Sequence, residues 1–318
     1  MEPVLTDLTI EVNQRCPNRC LFCSSLATEN SPHILSLEDI LSLGKQAKAL
    51  GLQNVSISGG EPLCHPNIVD VVQGLFLHGL HVNIYTTGLC FDGLGELISY
   101  KNWGDFRTAN PTLIFNIQSS TPEIHDRIVG RNGAFPLTRE AMLRAYEEGY
   151  RVEVHIVPNK INLDSLENTV HDLIDWGIER VSFLRIVYQG YARYNKDALF
   201  LEQDDLHTLK TIFKSLYEQY ANKPFLRFGI PFSGMVEKPQ HCNAGKSKLI
   251  IRYDGKVFPC EAFKDATNSS FILGDIRNDL LSNILHEGLR NTFLLSLKKQ
   301  VCFEEPCPAQ LLYESCIS

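Results

Sequence analysis

The 318-residue sequence lacks several features that mark large classes of proteins. It has no run of about 18 uninterrupted apolar residues, and its first residues lack the basic-then-apolar layout of a secretory signal. Lys and Arg number 30 against 37 Asp and Glu, which gives a formal net charge of −7 and argues against binding to a phosphate backbone. We therefore expect a cytoplasmic protein with neither a membrane nor a nucleic acid as partner.

Cysteine, in contrast, is well represented, with 10 residues in three groups. Disulfides are rare in the cytoplasm, so grouped cysteines there more often bind metal or take part in catalysis. The groups are Cys16, Cys20 and Cys23; Cys64 and Cys90; and Cys242, Cys260, Cys302, Cys307 and Cys316. The first and last groups predict two metal sites.

The stretch CPNRCLFC, residues 16–23, carries three cysteines at x3 and x2 spacing directly after a strand-like run. Three thiolates can bind three irons of a [4Fe–4S] cluster and leave the fourth iron open to an exchangeable ligand. A structural zinc site normally has four protein ligands, and the next candidates along the chain are His33, Cys64 and His65. The missing fourth ligand favours an iron–sulfur cluster over zinc.

Strand-like and helix-like segments alternate over roughly the first 190 residues, which is typical of parallel β/α units. The predicted strands are residues 5–12, 54–57, 81–85, 111–117, 151–157 and 181–186. The predicted helices are residues 36–50, 67–78, 138–149, 163–176 and 203–220. Six units form an incomplete barrel, because a closed one needs eight.

The composition of the chain shifts near residues 225–240, where we predict a domain boundary. Residues 1–225 would form the α/β partial barrel. Residues 226–318 would form a small, cysteine-rich α+β domain, with a turn at Asp254-Gly255 and one helix near residues 278–297.

The cysteine spacing and two later motifs resemble those of the radical S-adenosylmethionine (radical SAM) superfamily. Phe22 stands before the last cysteine of the loop, and SGGEP at residues 58–62 looks like the family's GGE motif. HDRIVG at residues 125–130 is similar to the HDxxRG signature of the branch with added clusters, but Val129 stands where that signature has arginine. The resemblance implies a partial (β/α)6 TIM-like barrel with the cluster at its C-terminal mouth.

The resemblance also implies a binding site for SAM at the strand ends. Paired glycines allow a ligand to approach the backbone, and Glu61 offers an acceptor for the SAM ammonium. The planar fork of Arg185 matches a carboxylate, although an ordinary ion pair is the alternative for this arginine, as a plain turn is for the glycines. The residues implied to bind SAM are Phe22, Gly59, Gly60, Glu61, Pro62, Ser119, Asn159 and Arg185.

Cys242 and Cys260, with Gly255 between them, look like the opening of the twitch and SPASM domains that hold auxiliary [4Fe–4S] clusters. A full SPASM domain needs more cysteines than the five present here, so one auxiliary cluster is expected. The resemblance implies Cys242, Cys260, Cys302 and Cys307 as its ligands, with Cys316 as a spare or a replacement. A zinc ribbon built from the same cysteines is the alternative.

Cys64 and Cys90 stand alone in the sequence. Most single cysteines are small buried apolar residues. Either thiol could still donate a hydrogen atom to a substrate radical, as an epimerase of this family would require.

The resemblance implies the reaction class. An electron from a donor such as flavodoxin or ferredoxin would enter the first cluster, and SAM would be cleaved to methionine and a 5'-deoxyadenosyl radical that takes a hydrogen atom from substrate. We expect a small carbohydrate-like or aminoglycoside-like substrate and either epimerisation or oxidation. A single auxiliary cluster resembles epimerases and dehydrogenases, and few residues precede the first strand, so no leader-peptide recognition domain is expected there.

Two alternatives to this reading stay open. One is a maturase that modifies a ribosomally made precursor peptide, with a separate protein binding the leader. The other is a non-catalytic protein stabilised by zinc.

Overall fold

A computed structural model describes residues 4–220, 225–236, 242–264, 269–301, 307–309 and 312. The strands are β1 (Asp7–Asn13), β2 (Asn54–Gly59), β3 (His81–Thr86), β4 (Leu89–Phe91), β5 (Leu97–Ser99), β6 (Thr112–Asn116), β7 (Val152–Ile156), β8 (Arg180–Phe183), β9 (Leu226–Phe228), β10 (Lys248–Ile251), β11 (Lys256–Phe258) and β12 (Gly274–Asp275). The α-helices are α1 (Leu37–Ala49), α2 (Ile68–Leu77), α3 (Pro122–Val129), α4 (Ala134–Glu147), α5 (Leu166–Asp175), α6 (Tyr191–Tyr194), α7 (Lys196–Leu199), α8 (Gln203–Gln219), α9 (Ile230–Val236), α10 (Leu281–Arg290) and α11 (Thr292–Lys298).

Ten strands form one sheet in the order β12-β11-β10-β1-β2-β3-β6-β7-β8-β9, and β4 and β5 form a separate hairpin. Every pair from β10 across to β9 is parallel, and only β11 and β12 are antiparallel. The six predicted strands all form and lie side by side in chain order. The prediction of an α/β partial barrel followed by a small cysteine-rich region is therefore confirmed.

The helices cover one face of the sheet and leave the other face polar. On β1, Leu8, Ile10 and Val12 point into the large apolar core shared with the helices. The alternating residues of a strand point the opposite way, and these are Thr9, Glu11 and Asn13, all buried. Polar side chains buried on the inner face are the first structural sign of a site there.

Helix α1 shows why the sequence prediction worked where local signals were strong. Ser36 caps its first turn, because the Ser36 hydroxyl accepts a hydrogen bond from the Asp39 amide at 3.1 Å. Ile40, Leu43 and Ala47 then recur at helical spacing and are buried.

The predicted single helix at residues 278–297 was wrong, because it is two helices. Asn291 separates α10 from α11 with an extended backbone conformation, and its side chain accepts a hydrogen bond from the Leu294 amide at 2.8 Å. Asn favours helix caps over helix interiors because its side chain competes for backbone groups. Helix α4 likewise begins earlier than predicted, directly after Gly133.

The chain after residue 225 adds strands at both ends of the strand order. Strand β9 pairs with β8, and β10 pairs with β1, from Asp7 opposite Lys248 to Ile10 opposite Ile251. The boundary between residues 225 and 226 stays a prediction. In the part of the chain that the structure covers, no helix is both long and apolar enough to span a membrane.

Candidate active site

The cysteine loop, residues 16–23, follows β1 at the C-terminal edge of the parallel sheet. Backbone hydrogen bonds join it to the following segment, to helix α3 and to the start of α6. These bonds run from the Cys16 amide to the Thr28 carbonyl (3.0 Å), from Arg19 to Val129 (3.0 Å), from Leu21 to Ile128 (2.9 Å) and from Tyr191 to Cys23 (2.9 Å). The loop is therefore positioned by elements far apart in the sequence.

Three glycines from three different segments pack directly on carbonyl groups of this region. A Cβ atom at Gly60, Gly130 or Gly190 would lie 2.2, 2.3 and 2.3 Å from the carbonyl oxygens of Arg15, Arg19 and Cys23, respectively. Real Cβ atoms do not approach a backbone oxygen so closely, so each position needs glycine for close packing.

The three thiols of the loop act on one another electrostatically. Burial raises the pKa of Cys16, and the charges of Cys20, Glu61 and Cys23 raise it further. Burial and Cys23 likewise raise the pKa of Cys20. Thiolates gathered in a buried place need positive charge nearby, which bound iron supplies. The donor set therefore fits an iron–sulfur cluster.

Among the residues that the structure describes, no group of three or more His, Cys, Asp or Glu side chains is arranged around a single metal ion. A cubane does not require such convergence, because each cysteine binds a different iron.

Buried polar atoms without a partner cluster beside the loop. Nine described residues carry such atoms, and six of them belong to β1, the cysteine loop, β8 and the segment after β8. These six are Glu11, Asn13, Asn18, Ser182, Arg185 and Gln189. Buried polar groups in folded proteins normally have hydrogen-bond partners, so this concentration indicates that a polar ligand completes the site. The ammonium, carboxylate and ribose hydroxyls of SAM have the chemistry to do so.

Glu61 is buried and accepts hydrogen bonds from the segment after β2 and from the end of β3. Its Oε1 accepts hydrogen bonds from the Leu63 amide (3.0 Å) and the Thr86 hydroxyl (2.6 Å). Its Oε2 accepts from the amide and the hydroxyl of Thr87, both at 2.6 Å. Burial raises the pKa of Glu61 although these donors lower it. A carboxylate has about four acceptor sites, so the contact with the SAM ammonium stays a prediction that this geometry does not support.

Gly59 and Gly60 bring the end of β2 against the chain itself rather than toward an open ligand site. The Gly60 amide donates to the Asn13 carbonyl at 2.8 Å, and the Glu61 amide donates to the Arg15 carbonyl at 2.7 Å. Pro62 is buried and begins a 3-10 turn. The segment thus holds in place the residues that lead into the cysteine loop.

Ser119 and Asn159 are buried and make hydrogen bonds to the protein. The Ser119 hydroxyl is buried, lies 3.0 Å from the Ser165 hydroxyl and accepts from the amide two residues on at 3.1 Å. The buried Asn159 side chain donates to the Val157 carbonyl at 2.8 Å and accepts from the Ile161 amide at 2.9 Å. Both side chains have hydrogen-bond partners within the protein, and their contact with SAM stays a prediction.

Arg185 lies beside the C-terminal cysteine group. Its Nη2 is 3.5 Å from the Cys307 sulfur, and its Nε has no partner within the described part of the chain. Its predicted contact with the SAM carboxylate remains untested. Phe22 packs on a small apolar cluster that includes Ile186 and Leu199.

The structure brings three of the C-terminal cysteines together, and Cys302 and Cys316 lie outside the described residues. Cys242, Cys260 and Cys307 pack on one small core built around Phe258, Phe263 and Phe271. Burial is the largest cause of the raised pKa of Cys260, and the charges of Cys307 and Cys242 raise this pKa further. Three mutually interacting thiols fit the predicted auxiliary cluster, and the fourth ligand stays a prediction.

Cys64 and Cys90, both half-buried, lie close to each other, with Cys64 in the 3-10 turn after β2 and Cys90 in β4. Burial, the charge of Glu61 and a smaller effect of Cys90 raise the pKa of Cys64 to about 12. Such a thiol keeps its proton, as a hydrogen-atom donor must. That role remains a prediction for both cysteines.

A buried ion pair between Glu11 and Lys264 was not found from the sequence. Lys264 contacts Oε1 of Glu11, and both side chains are almost fully buried. The alternation of polar and apolar residues in β1 could have indicated an inward-facing Glu11. No local pattern could have supplied its partner, which lies 253 residues away.

The chain is similar to proteins named for two different activities. The chain is 26% identical over 277 residues to a PqqA peptide cyclase of Ruegeria pomeroyi, covering 85% of this chain and 71% of the relative. It is 25% identical over 304 residues to a probable GTP 3',8-cyclase of Saccharolobus islandicus, covering 92% of this chain and 94% of the relative.

Solved structures share the fold at low sequence identity. SuiB of Streptococcus suis bound to its precursor peptide SuiA matches with a TM-score of 0.71 at 17% identity, over 89% of this chain and 65% of SuiB. The chain thus spans slightly less than two thirds of that protein. The enzyme anSMEcpe with bound AdoMet and a peptide also matches with a TM-score of 0.71 at 17% identity, over 95% of this chain and 85% of the other.

Two family models match the regions that hold the outer cysteine groups. Residues 242–308 match the SPASM model, described as an iron-sulfur cluster-binding domain. Residues 10–173 match the radical SAM superfamily model. With a [4Fe–4S] cluster and SAM as the cofactors of its barrel and a C-terminal iron–sulfur domain, this chain belongs to the radical SAM superfamily.

Proposed function

We propose that this protein is a radical SAM enzyme that modifies a ribosomally made precursor peptide. The observation that carries this proposal is the similarity to PqqA peptide cyclases over 85% of the chain. The shared fold of SuiB, which was solved with a precursor peptide, agrees with it. Neither relative is named as an epimerase or a dehydrogenase, so this reading replaces the small-molecule substrate expected from the sequence.

The cysteine loop and the C-terminal cysteine group have distinct tasks in this proposal. Cys16, Cys20 and Cys23 would hold the cluster that keeps one iron for SAM, and the side chain of Asn18 in the same loop, unpartnered among the described residues, would help to orient SAM. When bound, the cluster and SAM together supply hydrogen-atom abstraction. Cys242, Cys260 and Cys307 would hold one auxiliary [4Fe–4S] cluster, with Cys302 as the fourth ligand and Cys316 as its possible replacement.

The chain's own residues position the reactants and limit access of water. The hydrogen bonds of Glu61 fix the segment after β2 to the end of β3, and the glycine contacts fix the cysteine loop. Arg185 lies beside Cys307. We further propose a flavodoxin or a ferredoxin as electron donor and the cytoplasm as the working compartment.

A second candidate is cyclisation of a nucleotide. It is favoured by the similarity to a probable GTP 3',8-cyclase, which extends over 94% of that relative.

The test is an anaerobic assay of the reconstituted enzyme with SAM, a reductant and synthetic peptides encoded by short reading frames beside its gene. We expect SAM cleavage and a peptide that has lost two hydrogen atoms, located by tandem mass spectrometry. GTP is assayed in parallel. Conversion of GTP with every peptide unchanged would refute the peptide proposal in favour of the second candidate.

A further inference from the structure

Glu11 lies on the inner face of β1. One of its carboxylate oxygens accepts hydrogen bonds, and the other accepts none among the described residues. Its Oε1 accepts hydrogen bonds from the Ser25 hydroxyl at 2.7 Å and from Lys264 Nζ. Lys264 also donates to the Ser25 hydroxyl at 2.7 Å. Oε2 is buried and has no donor among the described residues. The side chain as a whole is 1% exposed, so bulk water does not satisfy this oxygen.

A buried acceptor without a donor is costly, by about 1–3 kcal/mol and more when the group is charged. The local donors already serve the other oxygen. Lys264 and Ser25 both face Oε1, and they hold the carboxylate in one orientation. The free oxygen is therefore fixed in place and needs a donor from outside these contacts.

The charges around Glu11 indicate which kind of donor fits. The Lys264 ammonium already neutralises the carboxylate, and both groups are buried. The Arg252 guanidinium lies next to them and donates to the Lys264 carbonyl at 3.2 Å, but Asp254 balances its charge and accepts a hydrogen bond from its Nε at 2.9 Å. A second cation at Oε2 would add net positive charge in a buried place, where charges repel strongly. A neutral N–H avoids that cost, whereas the ammonium of SAM does not.

The position of Glu11 also favours the substrate. Ser25 lies two residues after Cys23, and Lys264 lies four residues after Cys260. The two donors that hold Glu11 thus belong to the segments that carry the cysteine loop and the C-terminal cysteine group. Two further acceptors have no donor among the described residues: Asn13 Oδ1 on β1 and Gln189 Oε1 in the segment after β8.

We propose that Glu11 is a substrate-binding residue whose Oε2 accepts a hydrogen bond from a neutral N–H of the substrate. The identification of that N–H as a peptide amide rests on the proposed function.

The test compares Glu11→Gln and Glu11→Asp with the unaltered holoenzyme in the presence of SAM. The probe is N-acetylglycine N-methylamide, a blocked unit with two amide N–H groups, and its binding is followed by ligand-observed NMR. We expect a loss of about tenfold in probe affinity in both variants, the effect of one hydrogen bond to a charged group. Gln presents an amide in place of the free oxygen, and Asp keeps the charge but withdraws that oxygen by one carbon.

The matched control is Glu153→Gln. Glu153 is a buried carboxylate of the same sheet, but it pairs with Arg151 and Arg180. This variant should bind the probe as the unaltered enzyme does. SAM affinity, measured by calorimetry, should stay unchanged in all three variants.

Equal probe affinity in Glu11→Asp and the unaltered enzyme would overturn the proposal. So would a loss of SAM affinity that matches the loss of probe affinity, because Oε2 would then serve SAM. If Glu11→Gln fails to fold, the Asp variant decides alone. Binding of the probe through Glu11 in an enzyme that leaves every peptide unchanged would support this inference and count against the proposed function.

Discussion

The cysteine loop and the C-terminal cysteine group differ in how far apart their members lie along the chain. Cys16, Cys20 and Cys23 occupy a single loop, whereas Cys242, Cys260 and Cys307 come from three segments that meet on an aromatic core. The loop brings three ligands together by itself and relies on its neighbours for orientation. The C-terminal group depends on tertiary packing even to assemble.

The largest effect should come from replacing Cys16, Cys20 and Cys23 together by Ala. Without these thiolates no iron is held for SAM, so SAM cleavage should be abolished. About half of the iron should remain if each site holds one cubane. Iron analysis and the release of 5'-deoxyadenosine measure the two effects. Unchanged cleavage would contradict the assignment of the loop.

Cys260→Ala should produce the reciprocal result. Cys260 is the member of the C-terminal group on which the charges of both other described thiols act. We expect about half of the iron to be lost, again for one cubane at each site, while SAM cleavage continues and peptide product disappears. Loss of SAM cleavage together with the iron would show that the two sites are not separable.

The packing of the cysteine loop can be tested with a pair of glycine variants. A Cβ at Gly130 would meet the Arg19 carbonyl at 2.3 Å, whereas Gly133 has no described atom within 4 Å of a Cβ. Both glycines have positive φ, at 65° and 77°. Gly130→Ala should lower the free energy of unfolding by roughly 3 kcal/mol and Gly133→Ala by about 1 kcal/mol, because only the first adds overpacking to backbone strain. Urea unfolding measures both, and equal losses would refute the packing role.

The smallest effect concerns acid. His125 lies in helix α3 beneath the cysteine loop, and burial lowers its pKa to about 4. A histidine with a lowered pKa stabilises the fold fully above its unfolded pKa of about 6.5, and that stability is lost as the pH falls toward about 4. Between about pH 7 and about pH 5 the loss from this residue is about 2 kcal/mol, so His125→Asn should lose that much less over the interval.

The control for this prediction is His286→Asn, in helix α10, where the side chain is exposed. That variant should keep the acid sensitivity of the unaltered protein in urea unfolding followed by tryptophan fluorescence. If His125→Asn behaves in the same way, burial of His125 does not govern the acid response.

The fold was predictable where local signals and long-range packing agree. The cap at Ser36 and the apolar spacing of α1 are examples, and the six parallel strands are another. Strand β10 was not predicted as a neighbour of β1, because pairing across 241 residues leaves no trace in local periodicity. The division at Asn291 was missed because the apolar spacing continues through it.

The candidate site, like the fold, was predictable from the sequence only in part. The cysteine loop could be identified because its ligands are adjacent in sequence. Ser119, Asn159 and Glu61 were assigned to SAM by their positions after strands, yet position alone does not show where a side chain finds its hydrogen bonds. The pairing of Glu11 with Lys264 depends on the folded chain and could not be read in advance.

The pairing of β1 with β10 has a consequence for how the protein is made. Strand β1 is synthesised well before its partner on one side, because Asp7 pairs with Lys248 and the partner ends at Ile251. Contacts so distant in sequence form late, because a long loop must close first. The strand that carries the cysteine loop therefore has one unpaired edge until β10 has been synthesised. Insertion of the first cluster into a finished site has to wait until synthesis has passed Ile251.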